Sequence, residues 1–294
     1  MMLKQNLLVC ALSAAALAGL TVRAGADDGG IAYGGSPRLL GSHPSISMAA
    51  EKVVMVIEQR EVHTVCDFAF TNHGKACRVR MGFPDFGYQY EPNEGWEGME
   101  PPPDPSIFTS FASFVNGKRV KTRLIRAKQV GKHWHAKVVS FAAGQTVHVR
   151  DVYVQDFGGG DAVIGGKHGN VFEAMYVLHT GASWHGNIGR CEVVVKFKNR
   201  RIVRTPRLAQ LKEVGAVIEE FPGKRNPTEV IAVPSNTIVW AGPCKPIVAG
   251  KTLRFVRNNF KPSKKDDIDL FFGYRFSDQT FSEAMGYDKP DGKK

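Results

Sequence analysis

The chain has 294 residues, 43% of them hydrophobic, and 39 lysines and arginines against 28 aspartates and glutamates give a formal charge of +11. That length is enough for one large domain or two small ones with a real core. Past the N-terminus no run is long and apolar enough for a transmembrane helix, and with no C-x-x-C pair neither a zinc knuckle nor a thioredoxin-like redox site is indicated.

The first element is "MMLKQNLLVCALSAAALAGLTVRAGADDGG": one lysine, an apolar run from Leu7 to Leu20, then small residues. This is the pattern of a secretory signal peptide, with Ala24-Gly25-Ala26 as the cleavage site, so residues 1–26 are expected to leave and the mature chain to begin at Asp27. A lipoprotein with Cys10 lipidated fits less well, because "LLVC" has no small residue before the cysteine. Loss of Lys4 and Arg23, with no acidic residue, takes the charge from +11 to +9. A periplasmic or extracellular location then favours an anionic envelope polymer or another envelope protein as partner over nucleic acid or a nucleotide. It also permits disulfides among Cys66, Cys77, Cys191 and Cys244, with three connectivities open.

Residues 27–44 are glycine-rich and read as an irregular lead-in. From Ser45 the texture is that of strands. In "EVHTVCDFAFTNHGKACRVRMGF", Val62, Thr64, Cys66, Phe68 and Phe70 alternate with more polar neighbours, "NHGK" makes a turn, and Cys77, Val79 and Met81 alternate again. Period-two patterning around an Asn/Gly turn predicts a β-hairpin with one buried face. In that hairpin Cys66 and Cys77 lie about four residues out of register, too far for a direct disulfide.

Further along, "SFASFVNGKRVKTRLI" predicts two strands around Asn116-Gly117, and "HWHAKVVSFAAGQTVHVRDVYVQD" two more around Ala143-Gly144. "FEAMYVLHTG", "CEVVVKF", "TEVIAV", "NTIVWAG", "TLRFVRNNF" and "DIDLFFGYRF" follow. About twelve short strands separated by turn signals argue an all-β antiparallel sandwich, either one body or two packed subdomains, 45–190 and 191–280, before a loose tail at 281–294. "TPRLAQLKEV" is the one tolerable helix, and "YEPNEGWEGMEPPPDPS" is a long loop carrying Trp96.

The stretch "GGGDAVIGGKHG", Gly158 to Gly169, resembles a phosphate-binding loop only in composition. Aligned on G-x-x-x-x-G-K-[ST], Asp161 replaces the first glycine and His168 the hydroxyl, and "NVFEAMYVL" alternates like a strand where the motif needs a helix. It reads as a mobile linker between strands.

Candidate chemistry is sparse. His133 and His135 in "KHWHAK" share one strand face about 6 to 7 Å apart, the spacing for two nitrogen ligands to copper or zinc, with a third open among His148, His168, His179 and His185. In that reading Trp134 faces the core, and the alternative is a solvent-facing strand face. Ser183 and His185 lack the G-x-S-x-G elbow of a hydrolase, and Trp184 reads as a buried anchor between Gly181 and Gly186. Asp266, Asp267 and Asp269, like the glutamates around Trp96, read as solvated loop carboxylates. No catalytic residue or resident cofactor is indicated, a copper or zinc ion at His133 and His135 apart.

The largest positive feature is basic. From Lys118 to Lys137, eight of twenty residues are Lys or Arg and none is acidic: Lys118, Arg119, Lys121, Arg123, Arg126, Lys128, Lys132 and Lys137. A second group is Lys196, Lys198, Arg200, Arg201, Arg204 and Arg207. Lys118, Arg119, Lys121, Arg123, Arg126 and Trp96 are the candidate binding surface for an anionic partner, with edge protection by exposed lysines as the structural alternative.

"CDFAFTNHGKACRVRMGFPDFG", "FVNGKRVKTRLI", "VSFAAGQTVHVRDVYV", "YVLHTGASWHGNIG" and "RFVRNNFKPSKKDDIDLFF" together resemble an exported bacterial family of all-β proteins, the domain-of-unknown-function family numbered 4424. The resemblance spans Ser45 to Tyr274 and implies fold and location, without catalytic residues to carry over. The resulting expectation is a non-catalytic binding or scaffolding protein of the cell envelope. The alternatives are a metal protein built on His133 and His135 and a motif-less hydrolase of envelope glycans.

Overall fold

The computed structural model describes residues 33–40, 43–58, 61–86, 106–126, 132–156, 158–164, 167–198, 229–232 and 238–274. The expected signal peptide, the Trp96 loop, the helix at 205–214, Arg200 to Arg207 and the tail lie outside them. Eighteen strands are described: β1 (Tyr33–Gly35), β2 (Arg38–Leu39), β3 (Ile46–Ile57), β4 (Glu61–Asn72), β5 (Cys77–Phe86), β6 (Phe108–Val115), β7 (Lys118–Val120), β8 (Arg123–Arg126), β9 (Lys132–Phe141), β10 (Thr146–Asp156), β11 (Gly158–Ile164), β12 (Lys167–Val177), β13 (Ile188–Phe197), β14 (Glu229–Ala232), β15 (Ile238–Gly242), β16 (Ile247–Ala249), β17 (Thr252–Phe260) and β18 (Ile268–Tyr274). Two 3-10 turns, His179–Ser183 and Lys264–Asp266, are the helical segments among the described residues.

The fold is an all-β sandwich. Its first sheet runs β14-β15-β18-β12-β1-β5-β9-β8, with β11 added to β12 and β2 to β5, and its second runs β16-β17-β13-β3-β4-β10-β6-β7. Pairing is antiparallel apart from β1 with β12 and β13 with β3. Strands beyond residue 190 enter both sheets, so they extend the same sandwich.

The alternation read from the sequence places the core. Along β4, Val62, Thr64, Cys66, Phe68 and Phe70 are buried and their neighbours half-exposed. Val79, Met81 and Phe83 of β5 face Val147, Val149 and Tyr153 of β10 in one hydrophobic cluster, and the Phe83 and Tyr153 rings meet at 5.3 Å. Fully burying one such side chain is worth about 1.5–3 kcal/mol, so two interleaved faces of this size hold the sheets together.

Pairing departs from the expected hairpin. β4 and β5 belong to different sheets, and the chain steps across the sandwich at His73–Ala76. Asn72 organises the step: its Nδ2 donates to Lys75 O at 2.8 Å and to Ala142 O at 3.0 Å, and its backbone N–H donates to Gln145 O at 2.9 Å. That second set of partners is the turn by which β9 crosses to β10, so two crossings are clipped side by side. Period two shows that a strand has one buried face but not which strand lies beside it. Around Asn116-Gly117 the hairpin does form, β6 with β7, with φ of 49° and 77° at the two turn residues.

Three further expectations change. Residues 27–44 are not wholly irregular, because β1 lies between β12 and β5 in the middle of a sheet. The glycine stretch is not a linker: β11 and β12 pair from Gly158↔Glu173 to Ile164↔Lys167, with the glycines in the ladder. No disulfide joins the four cysteines. Cys66 on β4 pairs with Val53 of β3, whose other neighbour is β13, the strand of Cys191. Two strand spacings, about 9.6 Å, separate the two chains, beyond the reach of a disulfide.

Candidate functional site

β9 decides what the notable side chains of the sequence do. His133, His135, Lys137, Val139 and Phe141 face the interior, whereas Trp134 lies on the outer face of the sheet with the Arg38 guanidinium 5.8 Å from its ring centre. The expected orientation of Trp134 is therefore reversed. Gly82 of β5 permits this, since a Cβ there would stand 2.8 Å from Leu40 and 3.0 Å from Trp134.

Inside, polar groups bridge the sheets. Lys137 Nζ donates to both Asp151 oxygens at 2.5 and 2.6 Å, so Lys137 is a buried ion pair and no part of a basic surface. His135 Nε2 lies 2.8 Å from Asp85 Oδ2, and its ring stacks on Phe111 at 4.0 Å. Asp85 also accepts from Ser106 Oγ and from the Ile107 N–H, which anchors the chain entering β6 beneath the other sheet. Both histidines thus point inward on one face as the spacing predicts. Among the described residues, however, no group of three or more His, Cys, Asp or Glu is placed to hold a metal ion.

Glu51 is a buried carboxyl with a raised pKa. It is buried on β3 just past a bulge between Met48 and Ala50, and its Oε1 accepts from Ser36 Oγ at 2.5 Å and Tyr176 OH at 2.8 Å. Burial raises its pKa from 4.5 to about 7 against the opposing pull of those hydrogen bonds and one from Cys191. The Cys66 and Cys191 thiols are likewise pushed well up by burial.

The serine and aspartate clusters prove structural. Ser183 Oγ accepts from the Leu39 N–H and donates to Thr180 O, while Trp184 is buried, donates to Pro37 O and packs at a tilt against Phe70 with ring centres 4.4 Å apart. Asp266, Asp267 and Asp269 are buried, contrary to a solvated loop. Asp267 accepts from the Leu178 and His179 N–H groups and lies 2.8 Å from His179 Nδ1, and Asp266 closes the 3-10 turn and pairs with Arg257.

The predicted basic residues do come together. β7 is the last strand of one sheet and β8 the last of the other, and both stand on the same side of the sandwich because Lys121-Thr122 joins them directly. Lys118, Arg119, Lys121, Arg123 and Arg126 are all exposed around that open side. Register places Arg119 beside Phe114 and Arg123 beside Ala136 on the outer faces, with Lys118 and Arg126 toward the seam between the sheets. None of the five is ion-paired with a described carboxylate. Several cations elsewhere are matched: Arg150 with Asp67, Lys198 with Glu58, Arg190 and Arg254 with Glu192. Trp96, the sixth candidate, lies outside the described residues.

No protein-family model matches the chain, and no curated protein matches it in sequence. Among solved structures it is similar to a proposed nutrient binding protein from Legionella pneumophila, at 20% identity and a TM-score of 0.56, over 84% of this chain and 72% of that one. The likeness is one of fold. Weaker matches are an M1 zinc metallopeptidase from Deinococcus radiodurans, at 9% identity and TM-score 0.33 over 79% of this chain and 43% of that one, and leukotriene A4 hydrolase from Saccharomyces cerevisiae, at 7% and 0.41 over 80% and 30%.

Proposed function

We propose that this is an exported, non-catalytic binding protein of the cell envelope that takes an anionic polymer on the open side formed by β7 and β8. The observation that carries the reading is the concentration of five exposed cations on the two sheet edges of one side, none of them ion-paired with a described carboxylate. Such a surface attracts polyanions over a Debye length of about 8 Å at physiological salt and releases them as salt rises. Inside the sandwich Lys137 with Asp151 and His135 with Asp85 hold strands together, and the exposed chemistry is cationic, which supports a binding role. A binding role is also the one proposed for the Legionella protein of similar fold.

The test is retention of the purified chain on immobilised polygalacturonate and polyphosphate between 20 and 500 mM salt, on the order of the range over which screening changes most. Salt-sensitive retention that is lost in a folded variant carrying Lys118→Gln, Arg119→Gln, Lys121→Gln, Arg123→Gln and Arg126→Gln is the expected result. Equal retention of that variant, or no retention of the parent, overturns the proposal.

A further inference from the structure

The outer face of the first sheet carries a second set of cations, of which the edge reading uses only Arg123. Arg78 and Arg80 stand two residues apart on β5, both exposed. Arg38 of β2 pairs with Gly82 on one side of β5, and Ala136 of β9 pairs with Gly82 on the other, with Arg123 of β8 beyond it. Directly paired residues share a face, so all four arginines project from this one surface. The other residues of these strands on that face whose side chains are described include the neutral Gly82, Pro84, Trp134, Ala136, Val138 and Ser140. No described carboxylate pairs with any of the four arginines.

The geometry points to a phosphoryl-binding platform: we infer that the anionic polymer is recognised through its phosphate groups, by Arg38, Arg78, Arg80 and Arg123 acting together. This rests on the polyanion reading above and narrows it. Three features support phosphate over carboxylate. First, all four cations are arginines. A guanidinium presents parallel N–H donors in a rigid fork, whereas an ammonium acts as a point charge. Second, they are clustered. Arg38 lies one strand across and two residues along from Arg80, a backbone offset of about 8 Å that two arginine side chains can close onto one group. One fork occupies the shared plane of a carboxylate's two oxygens, but a tetrahedral polymer phosphate holds its two non-bridging oxygens where two forks can approach from different sides. Third, Arg38 is already positioned. Its guanidinium crosses over Gly82 to lie 5.8 Å from the Trp134 ring centre, a cation–π contact with a ring face and not with a hydrogen-bond acceptor.

The surface is a flat sheet face, and Val138 at its middle is 54% exposed. A sheet face with arginines on three of its four strands suits an extended chain, whose successive phosphates reach successive arginines. A second copy of this chain is a poor occupant, because face-to-face packing would oppose arginines with arginines.

The test measures affinity for inorganic polyphosphate and for polygalacturonate at equal charge concentration and one ionic strength. Three proteins are compared: the parent, a platform variant (Arg38→Gln, Arg78→Gln, Arg80→Gln) and an edge variant (Lys118→Gln, Arg119→Gln, Lys121→Gln), each checked for an unchanged melting temperature. The parent is expected to favour polyphosphate at least about tenfold, the equivalent of about 1.4 kcal/mol. In the platform variant that preference should fall below threefold while salt-sensitive binding of both polymers persists. The edge variant should lose affinity for both and keep the preference.

Equal affinity of the parent for the two polymers overturns the phosphate platform and leaves the polyanion reading standing. Absence of binding to either overturns both. A preference that survives in the platform variant places phosphate recognition elsewhere and overturns the assignment, as does a parent dimer in light scattering that the platform variant dissociates.

Discussion

Glu51→Gln offers the sharpest test of the interior. In the fold the Glu51 pKa is raised to about 7 from 4.5, because a carboxylate at 1% exposure loses its hydration. The folded state therefore holds a proton that the unfolded state releases between those pH values, and stability falls as pH rises through that window. At about 1.36 kcal/mol per unit, the loss above pH 7 is about 3 kcal/mol. Glutamine keeps an acceptor oxygen for Ser36 and Tyr176 and cannot ionise. The variant should match the parent near pH 4.5 and exceed it by about 3 kcal/mol at pH 8, or about 6 to 12 °C in melting temperature for a domain of this class. Urea denaturation of both proteins at several pH values isolates the Glu51 contribution as their difference. A difference that stays constant with pH would refute the reasoning, since it would mean that Glu51 ionises alike in both states.

Removing Lys137 alone, as Lys137→Met, leaves the Asp151 carboxylate buried and should cost about 3–5 kcal/mol, whereas Lys137→Met with Asp151→Leu should be near neutral or stabilising; chemical denaturation of both variants reads the contrast, and a mild single variant would show that the pair reaches water. Gly34→Ala places a Cβ 2.6 Å from the Tyr153 ring, so about 1–3 kcal/mol of overpacking is expected in thermal melts, and an unchanged melting temperature would mean that β1 is not seated between β12 and β5. With Cys66 and Cys191 buried and their thiols pushed up, and Cys77 and Cys244 half-buried, a thiol reagent should label the latter two first and the former only on global unfolding. Reaction of Cys66 and Cys191 in the same fast phase as Cys77 and Cys244 would contradict the packing.

Much of this was legible in advance because it is local. Alternation along Val62 to Phe70 marks a strand with one buried face whatever its partner, and Asn116-Gly117 forms its turn through backbone preferences of two residues. The cationic run from Lys118 to Arg126 was visible as composition, and its exposure follows from the short strands around that turn. What escaped were the partners. His133, His135 and Lys137 share a face with Val139 and Phe141, but only the strand across the gap reveals that the face is internal and that Asp85 and Asp151 await it. Arg38, Arg78 and Arg80 are scattered in sequence and gave no signal as a group; the pairings of β2 and β8 on either side of β5 and β9 bring them onto one sheet face.

The sequence alone determined that this protein is built of strands, roughly where they begin and end, and that a cationic excess gathers after Asn116. Only the tertiary structure decided which strands adjoin and which face of each lies inside. The physical reason is that period-two patterning is satisfied equally by a hairpin and by a crossing between sheets. The choice at His73–Ala76 depends on hydrogen bonds from Asn72 to a turn about seventy residues away and on burying two apolar faces against each other.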